Sequence, residues 1–194
     1  METGIEELPQ QQRSAYQRPA THLTGRIGSF WGSAGVCLLL AFAVVRLFGI
    51  ALESLSFEFH WYHWLVLVGN ILFMAYSEGY KGFQRGYAPR VAARARHLLH
   101  SPKPLHVMLA PLFCMGYFHT TKRRLISAYA LTMGIMVLVF IFHHLGQPWR
   151  GILDAGVVVG LIWGICSLVW FYLKAMNPGP FDYSAEIPAS SSSD

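Results

Sequence analysis

Four stretches of the chain are apolar on every side of a helix: Phe30–Leu52, Trp61–Tyr80, Leu125–Leu145 and Ile152–Leu173. At about 1.5 Å of rise per residue, each is long enough to cross a hydrocarbon core of about 30 Å. A helix that is apolar all round needs either a large protein core or lipid as its surroundings, and a chain this short offers no such core. The pattern therefore predicts an all-α integral membrane protein with four transmembrane helices in a bundle.

Two further segments break the pattern. From Pro89, the run Arg90-Val-Ala-Ala-Arg-Ala-Arg-His-Leu-Leu-His100 places Val91, Ala95, Leu98 and Leu99 at helical spacing, with Arg90, Arg94 and His97 on the other face. This predicts a short amphipathic helix lying at the membrane surface, with Arg90, Arg94 and Arg96 near anionic lipid headgroups. Leu105–Phe118 is apolar but too short for an ordinary span and carries Pro111. The expectation is an interfacial helix, with a re-entrant dip or a short span as alternatives. Ser77–Tyr87, in which a Gly-Tyr pair recurs, predicts a structured turn where the second span leaves the membrane.

Composition sharpens this picture. Of the 194 residues, 54% are hydrophobic and 13% charged, about half the charged share of a soluble domain. The net charge is +5, and its placement matters more than its size. Lys81, Arg85, Arg90, Arg94, Arg96, Lys103, Lys122, Arg123 and Arg124 lie between the second and third spans. Arg13, Arg18 and Arg26 precede the first, whereas the other two connections carry Glu53, Glu58 and Arg150. By the positive-inside rule both termini and the long middle segment are cytoplasmic, which suits a bacterial inner (plasma) membrane. The basic run sits between spans and shows no recognition fold, so nucleic acid is not an expected partner.

The ends read as flexible tails: a polar one over residues 1–26 and one over 177–194 with Pro178, Pro180, Pro188 and four consecutive serines. Between them lies one membrane domain, 27–176. The polar lead is too long for a signal peptide, so the first span is expected to be an uncleaved anchor. Cys37, Cys114 and Cys166 form no ligand or redox spacing.

Inside the spans, Gly156, Gly160 and Gly164 recur every four residues and form one nearly bare helix face. Such a face favours close helix packing, either within the chain or in a homodimer through the fourth span. Gly28 and Gly32 repeat the spacing in the first. Arg46 and Asp154 both lie toward the outer ends of their spans, so an Arg46–Asp154 ion pair is the expected tie between the first and fourth, with Glu53 as a further acid nearby. Asn70 is expected to act as interhelical glue.

Histidine supplies the only candidate chemistry. The topology places His60 and His63 at the outer start of the second span, and His143 and His144 at the outer end of the third. Imidazoles on separate helices are ligands for haem b or a transition metal. Trp61, Tyr62, Trp64 and Trp149 surround them as an interfacial aromatic belt would. No nucleophile elbow, paired-acid motif or haem-attachment motif is present. The leading expectation is a non-catalytic accessory, assembly or scaffold subunit, with the lipid bilayer and another membrane protein as partners. A haem- or metal-binding redox protein, and a small transporter or channel, are the alternatives.

Overall fold

The computed structural model describes residues 23–100, 104–117, 120–177, 181 and 183. Most of the two expected tails, and Phe118, fall outside that set. All regular structure among the described residues is helical. It comprises α1 (Leu23–Ser54), α2 (Trp61–Met74), a π-helix (Ala75–Tyr87), α3 (Ala88–His100), α4 (Pro104–Met108), α5 (Ala110–Met115), α6 (Lys122–His143) and α7 (Trp149–Met176). Three helical stretches are long and apolar enough to cross a membrane: Leu23–Ser54, Leu125–His143 and Trp149–Met176.

The second apolar run does not end in a turn. It continues without a break from Trp61 through the π-helix to His100, which corrects the turn expected over Ser77–Tyr87. Three glycines there argue for a turn by intrinsic propensity, but tertiary packing overrides propensity. Gly79 lies against the Trp163 indole, and the Phe83 ring lies against Gly164. The wider coil returns to α at Ala88, whose N–H reaches back to Phe83 O. Pro89 follows at once. Proline has no N–H to continue the ladder, so it is tolerated where the register changes.

α7 is the centre of the molecule. Its first turns meet the end of α1, where Gly151 abuts Ser54. The side chain of Gln147 bridges the same junction, donating from Nε2 to Ile50 O at 3.5 Å and accepting from Gly151 N–H at 3.2 Å. Its last turn meets the start of α1, where the Ser29 hydroxyl points to Met176 Sδ at 3.8 Å. α1 and α7 are thus antiparallel. The second helix runs parallel to α7: Asn70 and Met74 face Gly156, Glu78 faces Gly160 and Phe83 faces Gly164.

The most completely buried core lies at the basic end. Val36 of α1, Ala88, Val91, Ala95 and Leu98 of α3, Ala110, Phe113 and Cys114 of α5, and Leu168 of α7 close around one another. α1 presents a glycine stripe to this assembly: Gly25 to the Leu99 carbonyl, Gly28 to Val107, Gly32 to Cys114 and Gly35 to Pro111. α3 is therefore enclosed rather than laid on a surface. Its alanines let neighbours approach from more than one side, and Ala88, Ala92, Ala93 and Ala95 are all buried. The Pro111 segment is two short helices that break at Leu109. Gly116, at φ 88°, ends the second in the left-handed conformation that glycine adopts without strain.

α6 stands apart. None of its described side chains is buried. Tyr117 shares a 2.6 Å hydrogen bond with the Thr132 hydroxyl and packs edge-on against Tyr129. A short connection through Gly146 and the cis Gln147–Pro148 peptide joins it to α7.

Candidate functional site

Polar side chains gather at each end of α7 and along its seam with the second helix. At the end carrying the α6–α7 connection, α2 starts with a local lock: His60 N–H donates to His63 Nδ1 at 3.0 Å. That bond makes Nδ1 the acceptor and fixes the tautomer. His63 is buried, with its ring 4.9 Å from that of Trp149 and 4.3 Å from that of Tyr62. His144 donates from Nδ1 to Phe140 O at 2.8 Å, and its ring neighbours are Phe140 and His143. The two histidine pairs thus have separate surroundings. Among the described residues no three His, Cys, Asp or Glu side chains are placed to hold a metal ion.

Asp154 is 4% exposed, and its ion-pair partner is Arg150, one turn earlier on the same helix, at 3.8 Å. Arg46 is exposed on α1. The expected Arg46–Asp154 tie is therefore replaced by a pair within α7, at the i,i+4 spacing that suits side chains on one helix face. Glu53 and Glu58 are exposed. At the same level of α7, Asn70 donates from Nδ2 to Ile152 O at 2.9 Å and to Leu153 O at 3.3 Å. This amide lies directly on Gly156, where a Cβ would collide with it. Trp163 closes the seam by donating from Nε1 to Gln84 Oε1 at 2.8 Å.

At the basic end, Arg94 is 3% exposed. Its guanidinium lies 4.9 Å from the centre of the Phe113 ring and donates to Phe113 O at 2.6 Å. That carbonyl belongs to the last turn of α5, where a cation meets the negative end of the helix dipole. His106 stacks on the same ring at 4.6 Å, and His97 flanks it at 6.3 Å. Burial pushes the Cys114 thiol up to about 12, against the pull of nearby Arg94. It also raises Tyr87 well above its usual range. Burial, with Arg96 beside it, lowers His100. Of the arginines read as lipid contacts, Arg94 is thus internal. Arg90 and Arg96 are half-buried, and Arg96 lies over the Phe181 ring at 5.9 Å.

Asn70 and Arg94 each donate to a main-chain carbonyl of another helix, whereas Ser54, Ser77 and Thr132 donate to carbonyls three or four residues earlier in their own helical run. No known protein family, curated protein or solved structure matches this chain. Sequence reasoning overlooked Gln147, the Gln84–Trp163 bond and the Arg94–Phe113 contact. For the first two the sequence carried no periodic signal. For the third the only cue was an arginine among alanines.

Proposed function

We propose that this chain is a four-span accessory or assembly protein of the membrane, with both termini and the basic middle segment on the cytoplasmic side. Its function is to hold a partner rather than to transform a substrate. The second helix is read as crossing beside α7, because it runs parallel to that candidate span from Asn70 to Phe83. The distribution of lysine and arginine supplies the orientation. The observation that carries the accessory reading is α6, a largely apolar helix none of whose described side chains is buried. Lipid solvates such a helix at no penalty, so it remains available to a helix of another membrane protein.

The test is site-specific photo-crosslinking in native membranes from positions stepping around α6, for example Ile135, Met136, Val137 and Leu138. A protein adduct that recurs on one face with helical period is expected. Adducts with lipid alone at every position would contradict the proposal.

A further inference from the structure

The π-helix does something at its exposed face that an α-helix would not. In an α-helix residue i+5 lies about 140° round from residue i, on a different face. In a π-helix the i→i+5 bond brings it back over residue i. Lys81 follows Tyr76 by five, and Arg85 follows Tyr80 by five. Lys81 Nζ lies 5.0 Å from the Tyr76 ring centre, and Arg85 Cζ lies 5.6 Å from that of Tyr80. The two tyrosine rings stack on each other at 6.0 Å and 21°. The result is a ladder of two cations over two aromatic faces, with Lys81, Arg85 and Tyr76 exposed.

The nearby acid does not neutralise it. Glu78 is turned into the seam with α7, where a Cβ on Gly160 would lie 3.3 Å from Glu78 Oε2. Among the described residues neither Lys81 nor Arg85 forms an ion pair. Directly before the ladder, Leu72 and Phe73 are each 65% exposed and present an apolar strip. Ordered cations, phenol hydroxyls and an adjoining apolar strip are the three elements that an amphiphilic anion requires.

We propose that Lys81, Arg85, Tyr76 and Tyr80 bind the phosphodiester headgroup of an anionic phospholipid whose acyl chains lie along Leu72 and Phe73. Two unpaired cations select a charged headgroup over a zwitterionic one, and the apolar strip selects a lipid over a free phosphate. The inference rests on the second helix crossing the membrane, which sided labelling at residue 85 examines separately. It does not depend on what binds α6.

Native mass spectrometry of the full chain in detergent, titrated with phosphatidylglycerol, phosphatidylcholine or glycerol phosphate, reads the site directly. Phosphatidylglycerol should be retained over phosphatidylcholine. Lys81→Gln and Arg85→Gln should each weaken its retention by about fivefold, and the double variant by the product of the two. Arg26→Gln, a basic and exposed control, should leave retention unchanged. The single variants stand in if the double variant does not fold. Equal retention of the two lipids, an undiminished preference in the Lys81 and Arg85 variants, or an equal loss in Arg26→Gln would overturn the site. Displacement by glycerol phosphate at equal concentration would assign it to a soluble anion instead.

Discussion

Arg94 shows how little an ionisable residue reveals by itself. Spacing puts it with Arg90 and His97 on the polar side of a helix, and that reading is sound for an isolated helix. Its partner is a carbonyl nineteen residues further on, at a helix end that exists only because Gly116 adopts a positive φ. A buried guanidinium with a charge-assisted bond and an aromatic face is costly to remove. Arg94→Leu should lower stability by about 2 kcal/mol in thermal unfolding in detergent. Arg94→Lys should lose less, because it keeps the charge but not the planar stack. A neutral Arg94→Leu would show that the Phe113 carbonyl is served by Gly116 N–H alone. Asp154 teaches the same lesson at shorter range: its partner Arg150 stands four residues before it in the same helix, whereas charge and depth alone point to Arg46.

Among the elements, glycine spacing was the most legible signal. Gly156, Gly160 and Gly164 line the seam with the second helix, and Gly28 and Gly32 belong to a longer stripe that seats α3, α4 and α5. A matched pair of substitutions tests the seam. Gly156→Ala drives a methyl into Asn70 and should cost about 1–3 kcal/mol. Gly134→Ala on α6 meets nothing within 4 Å and should be neutral or stabilising by up to about 1 kcal/mol. Equal effects on unfolding would deny that the seam is tighter than the face of α6. The π-helix was not legible, because its local composition reads as a turn and the contacts that hold it helical lie on α7. The burial of α3 was hidden for a related reason. Alanines between arginines look like a solvated helix, and only the glycines of α1 show that something packs there.

For the whole molecule, the apolar runs anticipated the long helices, and charge predicts an orientation that labelling can test. It did not show that the best-buried core gathers at the basic end or that α6 stays outside it. Both depend on which helices pair, and lipid-facing and protein-facing apolar residues look alike in sequence. The claim on which the rest depends is that the chain crosses four times, with the second helix passing beside α7. Sided labelling of single-cysteine variants with an impermeant maleimide in intact cells or oriented vesicles tests it most directly, with the cysteine placed at Phe57, Arg85, Thr121, Gln147 or Asn177. The account predicts that Phe57→Cys and Gln147→Cys react from one side, and that Arg85→Cys, Thr121→Cys and Asn177→Cys react from the other. Labelling of Phe57→Cys and Arg85→Cys from the same side would contradict it.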